Sequence, residues 1–223
     1  MSRTAGRPRS PILHGYQLQS LWKFEEATSV ANGNAVDSIG SKTLFGVDGW
    51  TSVDGLLHNA IRLSVSGLEL FTPSDAFNFI TNPFSVAFWC KRSAGTRTVA
   101  LQYDNLTGPA WLFQVNETAV NATLDGSGAG WGVQDTITLS SDTWHFLCMR
   151  FDATNVYLNV NDRAEVSDTA TSCGDQTGGS LTVIPAGAGT MDVDNLMISK
   201  AGVCWSDDQV RKLYNGGLGR EVR

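Results

Sequence analysis

Apolar residues in this chain recur chiefly at every second position, in short runs separated by glycine, asparagine, aspartate and proline. Over Gln17 to Phe24, Leu18, Ser20, Trp22 and Phe24 alternate with the other residues, which predicts a first strand. In the run Phe84 to Cys90 one face would carry Phe84, Val86, Phe88 and Cys90, and the other still carries Ala87 and Trp89. A strand apolar on both sides belongs in the middle of a sheet with both faces covered. The run Trp144 to Phe151 has the same character, and Val156 to Val160 reads as its hairpin partner across Asp152 to Asn155. Turn signals at Asn32-Gly33-Asn34, Asp48-Gly49, Asp54-Gly55, Asn82-Pro83, Gly108-Pro109, Asp125-Gly126 and Gly178-Gly179 separate the runs. The pattern predicts an all-β, two-sheet antiparallel sandwich. It ends in one short helix, which Ser206 and Gln209 would open as a capping box and Asn215-Gly216-Gly217 would close. Val210, Leu213 and Tyr214 form its apolar stripe.

A chain of 223 residues with 42% hydrophobic and 17% charged content can bury a full core as one domain. The formal net charge is -6, but residues 1–16 hold Arg3, Arg7 and Arg9 and no acid. This divides the chain into a flexible basic arm over 1–16 and an acidic body over 17–223. An acidic body argues against nucleic acid as a partner, since phosphate contacts need a basic face. No stretch approaches the roughly 20 apolar residues of a membrane span, and no apolar run after the basic start resembles a signal peptide. The expectation is a protein that folds in the cytoplasm where it is made. Cys90 and Cys148 lie inside apolar runs and read as buried thiols. Cys173 and Cys204 could pair, though a cytoplasmic origin favours free thiols.

Five phrases carry a family resemblance. They are Leu21 to Glu26; Ala35 to Gly40, with its Asp37-Ser38-Ile39-Gly40 turn; Phe84 to Trp89; Trp144 to Phe146 running into Tyr157 to Asp162; and Met191 to Ile198. In this order they resemble the laminin-G-like jelly roll of the concanavalin A-like lectin and glucanase superfamily. The resemblance implies a jelly roll with a terminal helix and places Trp22, Trp89 and Trp144 in the core. It leaves the function open, because this fold carries lectins, hydrolases and structural modules alike.

The retaining glucanases of the superfamily use two carboxylates about 5 to 5.5 Å apart on one sheet face. None of the six glutamates alternates with another along a strand, so the acid pair that pattern needs is missing. Asp192 and Asp194 do alternate, yet the resemblance makes Asp194 a structural acid. His14, His58 and His145 are scattered, and no serine sits in a Gly-x-Ser-x-Gly elbow. The chain is therefore expected to have no catalytic residues. A structural calcium ion is the cofactor the resemblance suggests, with Glu25, Asp37 and Asp194 as its ligands; the alternative is that the aspartates accept backbone N–H groups.

Glycan recognition would need exposed rings beside polar side chains. Trp50, Trp111, Trp131 and Trp205 fall outside the matched phrases, and Trp131 follows the glycine-rich loop 125–130. Trp131, Trp111, Tyr103, Asp104 and Asn116 are the candidate carbohydrate-binding set. The arrangement also resembles small jelly-roll proteins of bacteriophage particles. The expectation is a non-catalytic structural or adhesive virion protein, either capsid decoration or tail-associated. It would be a homo-oligomer, held to other virion proteins through the basic arm and able to meet a cell-surface glycan. The alternative is a calcium-dependent lectin module with no virion role.

Overall fold

A computed structural model describes residues 14–25, 34–46, 51–57, 59–63, 70–71, 77–93, 98–104, 109–124, 131–175, 177–183 and 190–220. The strands, in chain order, are β1 (Leu18–Trp22), β2 (Asn34–Ala35), β3 (Leu44–Gly46), β4 (Thr51–Asp54), β5 (Asn59–Leu63), β6 (Leu70–Phe71), β7 (Phe84–Arg92) and β8 (Thr98–Asp104). They continue with β9 (Pro109–Val115), β10 (Val120–Leu124), β11 (Trp131–Asp135), β12 (His145–Phe151), β13 (Asn155–Val160), β14 (Val166–Thr169), β15 (Ser180–Val183) and β16 (Met191–Ser199). One helix, α1 (Asp207–Tyr214), follows.

The strands pair antiparallel in two sheets. Sheet I has the order β14-β13-β12-β7-β16-β5-β4, with β1 also paired to β16. Sheet II runs β11-β10-β9-β8-β15-β6-β3-β2. The expected double-faced strands take the middle of sheet I: β7 pairs with β12 on one side and β16 on the other, and β12 forms the hairpin with β13.

Alternation assigns each side chain to a layer. Phe84, Val86, Phe88 and Cys90 of β7 join the core between the sheets, together with Phe113, Leu147 and Leu158. Ala87 and Trp89 point the other way, into a second apolar cluster with Phe146, Cys148, Met197, Trp205, Val210 and Leu213. Strand β16 serves both layers through a bulge, where its register with β7 shifts between Asp194 and Met197 and Asn195 has φ 51°. Met191 and Val193 face the inter-sheet core before the shift, and Leu196 and Ile198 after it.

Helix α1 is the lid on this second cluster. Ser206 Oγ accepts the Gln209 N–H at 3.3 Å and Gln209 Oε1 accepts the Ser206 N–H at 2.8 Å, the reciprocal cap the sequence predicts. Gln209 Nε2 also donates to Gly15 O at 2.9 Å, and Tyr16 donates its hydroxyl to Gln209 O at 2.7 Å. Tyr16 is buried, so the packed domain starts before residue 17; residues 1–13 of the expected arm lie outside the described residues. Trp205 is buried too, and so is not among the exposed tryptophans; its Nε1 donates to Tyr16 O at 2.8 Å. All four cysteines are free thiols, and burial pushes those of Cys90 and Cys173 up to about 12.

Candidate binding faces of the sandwich

The structure does not gather the five expected carbohydrate-binding residues. Tyr103 and Trp111 lie opposite each other on β8 and β9, both completely buried, with ring centroids 6.1 Å apart and planes nearly parallel. They are core residues and cannot stack on a sugar. Asn116 follows the far end of β9, roughly 16 Å along the strand from Trp111. The backbone of Trp131 opens β11 opposite Leu124, while its side chain, like Trp50 and the loop 125–130, lies outside the described residues. Asp104, half-exposed like Asn116, lies on the outer face of sheet II, where Gln102 Nε2 donates to its Oδ2 at 2.7 Å.

That outer face is the more instructive feature. Gln114, Asn121 and Gln134 stand side by side on β9, β10 and β11. Two positions along runs the next row, Gln102, Leu112, Thr123 and Gly132, from β8 to β11. These residues alternate with the buried Leu101, Tyr103, Trp111, Phe113, Ala122 and Leu124. The signal was present in the sequence, as a polar residue between each pair of core residues over Leu101 to Asp104 and Val120 to Leu124. Among the described residues, no helix or strand covers this face, and the amides of Gln114, Asn121 and Gln134 make no hydrogen bond.

The acids considered for calcium have other partners. Asp37 Oδ1 accepts the N–H groups of Leu21 (3.0 Å), Ile39 (3.1 Å) and Gly40 (2.8 Å), and Oδ2 accepts Lys42 N–H at 3.2 Å. Asp194 Oδ2 accepts Leu56 N–H at 2.8 Å and Leu57 N–H at 3.0 Å. Glu25 is exposed. Among the described residues no three His, Cys, Asp or Glu side chains come together as an ion would require. The two aspartates organise loops by accepting backbone donors.

Asp192, the remaining member of the alternating acid pair, is clamped by cations. Arg62 Nε and Nη2 donate to its two oxygens at 2.7 and 2.9 Å, and Lys91 Nζ lies 3.0 Å from Oδ2. Lys91 also sits over the ring of Trp144, 5.0 Å from its centroid. Trp144 is half-buried at the margin of the lid cluster, not fully buried in the core as the resemblance implied. The reason is its position at the mouth of β12, beside the charged end of β7. His145 next to it is buried, with Nε2 3.1 Å from Ser140 O and Nδ1 3.2 Å from Asn161 Nδ2.

A laminin G family profile, described as the concanavalin A-like lectin/glucanases superfamily, matches residues 66–197, more than half of the chain. The chain belongs to this superfamily. Among solved structures it is similar to the binding domain of botulinum neurotoxin serotype D, with 14% identity and a TM-score of 0.69 over 90% of this chain and 52% of that one. The receptor binding domain of type G gives 13%, 0.69, 89% and 51% in the same measures. The binding domain of botulinum neurotoxin DC, in complex with SialylT, gives 13%, 0.69, 91% and 52%. At such identity the likeness is one of fold, and this superfamily member spans about half the length of those domains. No curated protein matches the chain.

Proposed function

We propose that this jelly roll is a non-catalytic glycan-binding adhesion module whose ligand face is the outer face of sheet II. The carrying observation is the amide row Gln114, Asn121 and Gln134, uncovered among the described residues and flanked by Thr123, Gln102 and Asp104. Amides offer donors and acceptors together, which suits the hydroxyl groups of a sugar, and neighbouring strands space them about 4.8 Å apart on a rigid sheet. The non-catalytic reading is supported by Asp192, both of whose oxygens are held by Arg62 and Lys91, and by Asp194, whose Oδ2 accepts two backbone N–H groups. The binding domain of botulinum neurotoxin DC, in complex with SialylT, shares the fold, which supports a sugar-binding reading by analogy.

A glycan array probed with the intact chain and with Asn121→Ala tests this reading. The expected result is binding that the substitution weakens and that a calcium chelator leaves unchanged. Silence across the array would sink it. The setting we propose is a bacteriophage particle, with the basic segment Arg3, Arg7 and Arg9 joining the acidic body to other virion proteins as a homo-oligomer. Deleting residues 2–14 should then abolish incorporation into particles, and unchanged incorporation would refute that attachment.

A further inference from the structure

The lid leaves one margin of sheet I uncovered by the apolar cluster. Across it runs the row Thr51, Arg62, Asp192 and Lys91, on β4, β5, β16 and β7, with Trp144 beside Lys91. Asp192 is 1% exposed, while the Arg62 and Lys91 side chains are 41% and 21% exposed. A cross-strand ion pair needs one cation for each carboxylate; here one buried carboxylate holds two. Asp192 engages Nε and Nη2 of Arg62 and one side of the Lys91 ammonium. Among the described residues Arg62 Nη1 has no hydrogen-bond partner, and Asp192 is the one carboxylate that the Lys91 ammonium meets. Cations held in place beforehand lose little side-chain entropy when an anion arrives, and two cations against one carboxylate leave the cluster with a net positive charge to attract it.

We propose that Arg62, Lys91 and Trp144 form a site for a carboxylate-bearing sugar, the acidic residue of a glycan. The sugar's carboxylate accepts from Arg62 Nη1 and Lys91 Nζ, and its ring lies against the half-buried Trp144. The site lies on the opposite sheet from the amide row and rests on the reading of the chain as a glycan-binding module. Asp142, exposed and with φ 55°, also acts electrostatically on Arg62 and opposes an incoming anion. It therefore serves as an independent handle. Asn tolerates the left-handed conformation at that position, so Asp142→Asn removes charge without disturbing the backbone.

The test is titration of the intact chain with N-acetylneuraminic acid and, separately, with its uncharged methyl ester, followed through the Trp144 indole N–H resonance. The acid should shift that resonance and bind more weakly as salt rises; the ester should do neither. Lys91→Gln should weaken binding about tenfold, as loss of a charge-assisted hydrogen bond does, and Asp142→Asn should strengthen it about twofold. Equal binding of acid and ester, or affinities unmoved by both substitutions, would overturn the site. Neutral-glycan binding that Asn121→Ala weakens, with no response at Trp144, would remove this site while leaving the proposed function in place.

Discussion

The two outer faces of the sandwich are built from the same alternating strands and end in opposite conditions. The outer face of sheet I carries Trp89, Phe146, Cys148 and Met197 and is roofed by α1, Trp205 and Tyr16. That of sheet II carries Gln102, Gln114, Asn121, Thr123 and Gln134 with Leu112 as the one large apolar residue among them, and nothing described lies above it. The difference is set by which residues occupy the outward parity of each strand. Apolar outward residues must be covered, so sheet I spends its outer face on stability. Polar outward residues need no cover, so sheet II has a face free for a ligand. Function on this fold is to be sought where the chain has not roofed itself.

The largest expected effect lies in the roof of sheet I. Trp205→Ala deletes a fully buried ring together with its hydrogen bond to Tyr16 O, and should lower unfolding stability by about 3–5 kcal/mol in urea titration. Asn121→Ala on the open face should change stability by no more than about 0.5 kcal/mol while weakening glycan binding. Comparable stability losses in the two variants would mean that the faces do not differ in kind.

A smaller but sharper effect is expected at the two loops pinned by aspartates. A Cβ on Gly40 would lie 2.4 Å from Gln19 O and 2.5 Å from Asp37 Oδ2, and one on Gly55 would lie 2.7 Å from Asp194 Oδ2. Each glycine lets a carboxylate reach backbone N–H groups. Gly40→Ala or Gly55→Ala should therefore cost about 1–3 kcal/mol, measured by thermal unfolding. If these acids held calcium instead, a chelator would reproduce the loss in the unaltered protein; the expected outcome is no change.

Much of the scaffold was legible in the sequence, because it follows from local rules. The double-faced β7, the β12–β13 hairpin and the Ser206/Gln209 cap are each written in a few contiguous residues. The site was not, for two physical reasons. Inward and outward parity can be read within a strand, but a tryptophan such as Trp111 looks equally suited to a core and to a sugar until its neighbours across the sheet are known. An aspartate shows its charge and conceals its donors: Asp37 draws on Leu21 and Lys42, and Asp194 on residues 137 and 138 positions away. Lys91, Arg62 and Asp192 likewise meet only through strand pairing.

Between the faces lies His145, which offers a pH test that should touch the interior alone. Burial lowers its pKa below the ordinary 6.5 and the charge of Arg92 acts in the same direction, while the hydrogen bond to Ser140 O opposes them. The folded protein therefore keeps the ring neutral where the unfolded chain takes up a proton. Stability from this group is complete above pH 6.5 and declines as pH falls from there toward the depressed folded value. His145→Gln should flatten that part of the stability profile. Glycan binding by the amide row should stay constant over the same range, and a parallel decline in both variants would show that the titration belongs elsewhere.

The smallest effect belongs to the edge of sheet I, at the hairpin turn of Asp152. Burial pushes its carboxyl up, but hydrogen bonds from Thr154 Oγ1 and the Tyr157 hydroxyl, both 2.7 Å, with the N–H groups of Thr154 and Asn155, outweigh burial and hold it at about 2. Its contribution is present above the ordinary value of 3.8 and is lost as pH falls through about 2. The group is partly exposed, so solvent screening keeps the energy small, and amide exchange at Thr154 and Asn155 is the suitable measurement. Their protection should fall between those pH values and fall no further in Asp152→Ala. Tyr157 lies beneath Arg150, 4.8 Å from its guanidinium carbon, and Arg150 Nη1 donates to Trp205 O at 2.5 Å. Loosening this turn should therefore reach the roof of sheet I before it reaches sheet II. Simultaneous loss of protection at β10 and β11 would show the two faces to be one cooperative unit, and the division of labour between them to lie in surface chemistry alone.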